Sequence, residues 1–400
     1  MKISGDFLFR HAKIIALAIV LICVLAVSLQ SYLLEPNPLP VEGTFITHYN
    51  NFTIFRQAFF HLVQGQDLYK PWPAEHWDLF KYSPAFALLM APLAAMPVFL
   101  GLLFWNLINA TVLFFAFWKV PFRSDKIRLL ALGFILIEMI TSLQNSQSNC
   151  LITGLIMFGF LSMEKRRIWL ASLLIVLSAF IKIFGLIAVF LFLLYPGKIK
   201  ALLYTILWTA LLVILPLVVI PPLQLIALYK SWYLMLAQDH SASFGLSVFG
   251  WLHSWFGIEG YKNLILLAGV LVFLLPLLKF RQFRESRFRL FFLSGILLWV
   301  VLFNHKAESP TYIIAVTGVT IWFFIQEFRI GNLILLMLVF VFTVLSPTDI
   351  FPRNTFVEAW CLKAVPCILV WMKLTFDMLT TGNRSGFLIK AADREDTNPS

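Results

Sequence analysis

Long apolar runs recur along the chain between residues 13 and 379, and charged residues, prolines and glycines separate them. An α-helix needs about 20 apolar residues to cross a lipid bilayer, and the runs, divided at these interruptions, predict about twelve crossings. The predicted segments are 13–34, 98–118, 128–143, 150–163, 168–181, 183–196, 201–220, 263–279, 290–304, 311–326, 331–346 and 360–379. The pattern therefore predicts an all-α polytopic membrane protein.

The composition supports this class. Of the 400 residues, 60% are hydrophobic and only 13% are charged, which excludes a soluble domain of this size. A net charge of +11 would suggest a nucleic-acid partner in a soluble protein, but membrane topology explains it here, so no nucleic acid is expected. The four cysteines have neither metal-ligand nor disulfide spacing and are expected to be small buried apolar residues.

The distribution of Lys and Arg predicts an orientation. With the N-terminus on the cytoplasmic side, 21 of the 31 basic residues fall in inner segments and eight in outer loops. This bias follows the positive-inside rule. The outer segments hold six of the seven histidines and half of the 20 acidic residues. The outer face is therefore expected to carry the chemistry, and the inner face positive anchors.

The chain is predicted to form one integral membrane domain over residues 1–379, followed by a polar cytoplasmic tail over residues 380–400. Two outer loops, residues 35–97 and 221–262, are long enough to carry structure of their own.

The first outer loop is the most informative segment. In residues 51–64, apolar residues at helical spacing lie beside Arg56 and His61, which predicts an amphipathic helix at the membrane surface. Residues 85–95 are apolar but too short to cross a bilayer alone. A re-entrant or juxtamembrane helix packed against protein is expected there.

Lys182 stands between two apolar segments of half length. Ionisable residues at membrane depth are costly and are functional candidates by default. If the paired helices end at the outer surface, Lys182 lies beside the polar turn at 141–149 and can hold the phosphate of a lipid substrate. The alternative is a lysine that extends to the interface. For Glu138, within the third helix, a buried carboxyl group that is bonded to a neighbouring helix or kept protonated is at least as good an interpretation.

Several outer side chains qualify by type as a general base, because a base needs only to lie within hydrogen-bond reach of the acceptor hydroxyl. They are Asp67, Glu75, Asp78, Glu308, His76 and His305. No pair of ligands has a known metal spacing, so no metal is expected. The chain has no P-loop, dinucleotide-binding fingerprint, GxSxG or HExxH in a suitable context, which leaves nucleotide-driven transport and hydrolysis without support.

Five segments, taken in order, share a further pattern. They are NNFTIFRQAFFHLVQGQDLY (50–69), FKYSPAFALLMAPLAAMP (80–97), LQNSQSNCLITGLIMFGFL (143–161), WLASLLIVLSAFIKIFGLIAVFLFLL (169–194) and NHKAESPTYIIA (304–315). Together they resemble glycosyltransferase family 87, over roughly residues 45–325. No single motif is specific, and the resemblance depends on their order and on the agreeing topology.

The resemblance implies a GT-C-like bundle with a long structured first outer loop. It also implies transfer of a mannose-like sugar from a polyprenyl-phosphate donor to an acceptor hydroxyl on the outer side of the membrane. The residues it places at the donor phosphate or sugar are Lys182, Gln147, Asn149, Tyr69 and Tyr82, with Arg56 and Lys306 as further outer cations. His305 matches a late outer histidine of the family.

One position departs from the family pattern. Where members have an acid at the start of the first-loop helix, this chain has Asn50 and Asn51, and an amide cannot act as a base. Either the base is another residue, or the alignment at Asn51 is shifted, or the protein is not a catalyst. The candidates for a relocated base are Glu75, Asp78, Glu308 and His305.

The sequence thus predicts a membrane hexosyltransferase, with the active site on the outer face of a bacterial inner membrane. The donor is a lipid-linked sugar and the acceptor a glycan or glycolipid, with no cofactor. The alternatives are a lipid or polysaccharide transporter, which would show an internal repeat or broken helices in matching halves, and a non-catalytic partner of envelope glycan assembly.

Overall fold

A computed structural model of the protein describes residues 11–38, 45–239, 243–348, 350 and 356–380. Over these ranges the regular secondary structure is helical apart from a two-stranded antiparallel pair, β1 (Asn37–Pro38) and β2 (Phe45–Ile46). The α-helices are α1 (Ala12–Leu33), α2 (Asn50–Val63), α3 (Pro84–Leu89), α4 (Ala91–Ala94), α5 (Val98–Trp118), α6 (Asp125–Gln144), α7 (Asn149–Glu164), α8 (Ile168–Ile181), α9 (Lys198–Ile214), α10 (Pro222–Asp239), α11 (Val248–Phe256), α12 (Lys262–Leu274), α13 (Ser286–Leu302), α14 (Tyr312–Phe324), α15 (Ile330–Val339), α16 (Phe356–Ala359) and α17 (Val365–Thr380).

Shorter helical turns complete the description. Helices of the 3₁₀ type cover Ile183–Leu194, Leu215–Val218, Leu275–Leu278, Phe280–Arg284 and Ser309–Thr311, and one π-helix covers Phe340–Val344. The predicted polar tail lies outside the described residues from position 381 onward.

Local sequence explains where two of these helices begin. The Ser83 hydroxyl accepts a hydrogen bond from the Phe86 N–H at 3.2 Å, and Pro84 occupies the first position of α3. Ser124 plays the same part for α6, accepting from the Ile127 N–H at 3.3 Å. A serine cap satisfies an N–H that has no partner within the helix, and a proline there loses no bond.

The helices agree with the class predicted from the apolar pattern. Helices α1, α5, α6 and the continuous segment Lys198–Val218 are long and apolar enough to cross a membrane by length and composition. Further predicted segments contain shorter apolar helices. The all-α membrane-protein class is confirmed, whereas the count of about twelve crossings stays a prediction, because many of the helices fall short of the usual 20 residues.

Helices α5 and α7 approach each other closely. A Cβ added to Gly154 of α7 would lie 2.7 Å from Val112 Cγ1 and 2.9 Å from the Leu113 backbone nitrogen of α5. Asn109 of α5 accepts a hydrogen bond from the Leu151 N–H in the first turn of α7 at 3.0 Å. The small residue permits the contact and the amide satisfies an otherwise unpaired N–H. Together they fix the end of α7 that begins at Asn149.

The predicted helix of the first outer loop is present as α2. Its apolar side chains Phe52, Phe55 and Leu62 are each 0% exposed and belong to the hydrophobic core. The apolar face of α2 therefore packs against the protein, and its placement at the membrane surface stays a prediction. The short segment that follows forms α3 and α4, of six and four residues, packed against protein as expected.

Lys182 lies at the tip of a helical hairpin. Helix α8 ends at Ile181, Lys182 has an extended backbone, and the 3₁₀ helix begins at Ile183. A Cβ on Gly185 would lie 2.6 Å from Ser178 Oγ, so the 3₁₀ helix returns directly against α8. The interruption predicted at Lys182 is therefore a tight reversal of the chain.

Two ion pairs join segments that are far apart in the sequence. Glu138 of α6 accepts from Lys363 Nζ at 2.8 Å, and the two side chains are 0% and 3% exposed. The interpretation of Glu138 as a buried carboxyl group bonded to another segment is thus confirmed. In a second cluster, Arg289 of α13 donates to both carboxylate oxygens of Glu164 at 2.6 and 2.9 Å, and the Tyr195 hydroxyl bonds the same carboxylate.

Candidate functional site

The first outer loop, the Lys182 hairpin, α10 and the segment after α13 enclose a cavity of about 470 Å³. Its walls are formed by Asn51, Ile54, Asp78, Leu79, Lys81, Tyr82, Gln147, Lys182, Ile183, Phe184, Tyr233, Leu236, Ala237, Asn304, His305, Lys306, Glu308 and Thr311. All of these positions fall in segments that the charge distribution assigned to the outer side or to helix ends beside it.

The cavity brings together most of the site residues predicted from the sequence. Those that line it are Asn51, Asp78, Tyr82, Gln147, Lys182, His305, Lys306 and Glu308. Those that do not line it are Arg56, Tyr69, Glu75 and Asn149. Of these four, Asn149 and Tyr69 form hydrogen bonds with lining residues, and Arg56 and Glu75 stabilise the surrounding loop.

A chain of hydrogen bonds connects the hairpin to the opposite wall. Lys182 Nζ donates to Asn149 Oδ1 at 2.8 Å, Asn149 Nδ2 donates to Gln147 Oε1 at 2.6 Å, and Gln147 Nε2 donates to Glu308 Oε2 at 2.8 Å. Asn149 Nδ2 also donates to the Pro310 carbonyl at 2.9 Å. Because each amide has one donor and one acceptor end, the lysine at one end and the carboxylate at the other fix both amide orientations.

The electrostatic setting of Lys182 is unusual. The pKa of its ammonium group is lowered from 10.5 to about 8, mainly by burial; the carboxylate of Glu308 opposes this shift, and the charge of Lys81 adds to it. A partly desolvated ammonium group whose charge is not fully neutralised favours binding of an anion, because the attraction to the anion offsets the cost of the lost solvation.

The first-loop wall is held by aromatic side chains. The Tyr69 hydroxyl donates to the Tyr82 carbonyl at 2.9 Å and is buried, so Tyr69 supports the position of Tyr82 from behind. The ring of Tyr82 packs edge-on against Phe55 at 4.8 Å. Burial raises the pKa of Tyr82, which therefore stays protonated at neutral pH and can donate a hydrogen bond.

Two predicted residues are engaged away from the cavity. Glu75 Oε2 lies 2.9 Å from His61 Nε2, and the His61 ring stacks on Trp72 at 4.2 Å between ring centroids. The Arg56 guanidinium lies 5.0 Å above the Phe60 ring. These contacts fix α2 and the loop after it, and neither side chain reaches the cavity walls.

The opposite wall is a short segment between α13 and α14. Asn304 Oδ1 accepts from the Lys306 N–H at 2.8 Å, and the His305 carbonyl accepts from the Ser243 hydroxyl at 2.8 Å. The His305 ring faces Phe184 of the hairpin at 6.4 Å between centroids. These hydrogen bonds hold the turn from which the side chains of His305, Lys306 and Glu308 line the cavity.

Sequence reasoning missed several lining residues. Lys81, Asn304, Thr311 and Tyr233 had no pattern that distinguished them from ordinary loop or helix residues. The position of Lys81, between the candidates Asp78 and Tyr82, was the only signal available. With Lys81 included, the cavity walls carry three lysines against the two carboxylates of Asp78 and Glu308.

Among the described residues, no group of three or more His, Cys, Asp or Glu side chains is placed to hold a metal ion.

A model of glycosyltransferase family 87 matches residues 80–304, more than half of the chain. No curated protein matches the chain significantly. The matched range includes Tyr82, Gln147 and Lys182 of the cavity wall.

Proposed function

The chain belongs to glycosyltransferase family 87, and on that premise we propose that it transfers a hexose, specifically mannose, from a polyprenyl-phosphate donor to a hydroxyl group of a glycan or glycolipid acceptor. The observation that carries the proposal is Lys182, an ammonium group held at the cavity by Asn149 with its charge only partly compensated. A phosphate-linked donor supplies the anion that such a site favours.

The charge of the donor fits the cavity. A polyprenyl-phosphate sugar is a phosphodiester with one negative charge, and the departing lipid phosphate carries two. The lysines of the cavity wall exceed the carboxylates by one. Cations that oppose charge developing on the leaving group stabilise the transition state more than the ground state, which is what lowers the barrier.

The shape of the cavity also suits a lipid substrate. Ile183 and Phe184 of the hairpin and Leu236 of α10 form an apolar side to an otherwise polar site. Ile183 is 46% exposed, so this side continues onto the outer surface of the bundle. A polyprenyl chain can therefore lie along apolar side chains while its phosphate meets Lys182.

The outer location is proposed from two sets of helix ends. The cavity lies where the hairpin tip, the first loop and the segment after α13 meet. The Glu164–Arg289 pair joins helix ends assigned to the positively charged inner side. The two features agree with one orientation, in which the cavity opens to the outer face of a multi-pass protein of the bacterial inner membrane.

The direct test is transfer of radiolabelled mannose from polyprenyl-phosphate-mannose to lipid or glycan acceptors, in membranes with and without the protein. We expect labelled acceptor only when the protein is present. Transfer of glucose from polyprenyl-phosphate-glucose, and not of mannose, would change the proposed sugar and leave the proposed type of reaction unchanged. Binding of either donor without any transfer would contradict the proposal and favour the transport or assembly alternatives.

The pKa of Lys182 gives a prediction for pH. The protonated lysine binds the donor anion, so affinity should be constant well below pH 8 and fall as pH rises through about 8. Above that point the protonated fraction of the free protein falls by about tenfold per pH unit. The measurement is the Kd for polyprenyl-phosphate-mannose between pH 6.5 and 9.5. In the Lys182→Arg variant, whose charge does not titrate in this range, the decline should vanish; a flat profile in the wild type would contradict the role of Lys182.

A further inference from the structure

Of the first-loop carboxylates that the structure describes, Asp78 alone lines the cavity. Its φ is +73°, in the left-handed region that residues other than glycine rarely adopt. The other described non-glycine residues with positive φ are Ser146, Arg166 and Cys361, and each follows a helix end by two residues. A left-handed residue there terminates a helix. Asp78 follows no helix, so its conformation has another cause.

The backbone on both sides of Asp78 is held by hydrogen bonds. Asn50 Nδ2 donates to the Trp77 carbonyl at 2.7 Å, and the Trp77 N–H donates to Asn50 Oδ1 at 3.0 Å. On the far side, Asp78 Oδ1 accepts from the Leu79 N–H at 2.7 Å. The paired bond needs an amide at position 50, because a carboxylate has no donor for the Trp77 carbonyl. Strained residues persist where the surroundings fix them in this way, and they cluster at functional sites.

The Asp78 side chain is placed beside the cations of the cavity. Its Oδ2 accepts from Lys81 Nζ at 3.0 Å, and the two side chains are 51% and 30% exposed, so both are accessible from the cavity. Lys81 is also near enough to Lys182 for the charge of one to act on the other. Asp78 and the lysine assigned to the donor phosphate are therefore linked through one shared neighbour.

The other carboxylates considered as bases are engaged elsewhere. Glu308 accepts from Gln147 at 2.8 Å and faces Lys182, so it belongs to the chain that orients the phosphate-binding cation. Glu75 is bonded to His61 at 2.9 Å and does not line the cavity. This leaves Asp78 as the carboxylate that lines the cavity and lies outside the hydrogen-bond chain from Lys182 to Glu308.

We propose that Asp78 is the general base of the transfer reaction and that Asn50 is the positioning residue that holds it. The inference rests on the proposed function. In the step, the acceptor hydroxyl oxygen forms a bond to the anomeric carbon and its proton passes to the Asp78 carboxylate. The bond from the anomeric carbon to the phosphate oxygen breaks, and its electron pair leaves with the lipid phosphate, which is bound by Lys182. Attack on the face away from the phosphate inverts the anomeric configuration.

The first test compares Asp78→Asn with Glu75→Gln, a matched removal of one loop carboxylate, using polyprenyl-phosphate-mannose and membrane lipid acceptors. We expect Asp78→Asn to lower kcat by about 100-fold or more, with donor KM within about threefold of wild type. Glu75→Gln should keep kcat within about threefold, because it leaves the cavity unchanged. A loss of less than about 100-fold in Asp78→Asn, the lower limit for loss of a base, would overturn the assignment.

The second test separates positioning from structural support. Asn50→Ala should lower kcat by about tenfold and leave the acidic limb of the kcat/KM pH profile at the wild-type pH, because the base is misplaced but present. In Asp78→Asn that limb should disappear. Loss of the limb in Asn50→Ala, or unchanged kcat there, would overturn the role of Asn50. No transfer by the wild type would instead overturn the proposed function, so the two failures are distinct.

Discussion

Replacement of Lys182 with methionine is expected to lower kcat/KM for mannose transfer from polyprenyl-phosphate-mannose by about 100- to 1,000-fold. Methionine has a similar length and keeps the apolar contacts of the side chain, but it removes the ammonium group at the cavity. The phosphate of the donor then meets the site without its partly desolvated cation. The measurement is initial rates of labelled transfer in membranes that contain equal amounts of the two proteins.

The matched control for this variant is Lys70→Met. Lys70 is an exposed lysine of the first outer loop and does not line the cavity. Its replacement should change kcat/KM by less than about twofold, since exposed charges away from the site contribute little. His305→Ala removes an imidazole from the opposite wall of the cavity and should also lower kcat/KM. Undiminished rates in both Lys182→Met and His305→Ala would show that transfer takes place elsewhere in the molecule.

Breaking the buried pair of Glu138 and Lys363 should give the largest loss of stability. Lys363→Met leaves the Glu138 carboxylate, which is 0% exposed, without its cation. Removal of one partner of a buried ion pair costs about 3–5 kcal/mol. The Ser309 hydroxyl also loses its contact with Lys363 Nζ at 2.8 Å. The free energy of unfolding, or the Tm in detergent micelles, measures this effect.

The double variant Glu138→Gln/Lys363→Met tests the cause. It removes both charges, so most of the lost stability should return, and the coupling energy gives the cost of the isolated carboxylate. Lys373→Met is the control, because its ion pair with Asp377 is more accessible and should contribute about 1 kcal/mol or less. Equal destabilisation in the single and double variants would indicate lost packing rather than an uncompensated charge.

The helical segments could be predicted because apolar periodicity and interruptions are local properties of the chain. The interruption at Lys182 and the turn before α7 are examples: both are visible as polar residues between apolar runs. The short segment of α3 and α4 could be predicted to pack against protein, because it is too short to cross a bilayer and a crossing there would break the distribution of Lys and Arg. The family was recognised from the order of such segments.

The contacts that define the cavity could not be predicted, because they join residues far apart in sequence. Gln147 and Glu308 are 161 positions apart, and Glu138 and Lys363 are 225 apart. The missing acid at positions 50 and 51 was visible, but not the reason for an amide there. Asn50 binds Trp77 through both ends of its side chain, and Asn51 donates to the Asn145 carbonyl at 2.9 Å.

The two helices of the Lys182 hairpin differ in residue number but have similar lengths. Helix α8 has 14 residues and the 3₁₀ helix has 12. At about 1.5 Å per residue for an α-helix and about 2.0 Å for a 3₁₀ helix, the two helices span about 21 and 24 Å. The hairpin closes at its base, where a Cβ on Gly197 would lie 2.8 Å from Ile168 Cδ1. Rewinding the second helix as an α-helix would shorten it by about 6 Å, to about 18 Å, which is less than the span of α8. The 3₁₀ winding therefore allows a segment of only 12 residues to extend from Lys182 back to the base of the hairpin.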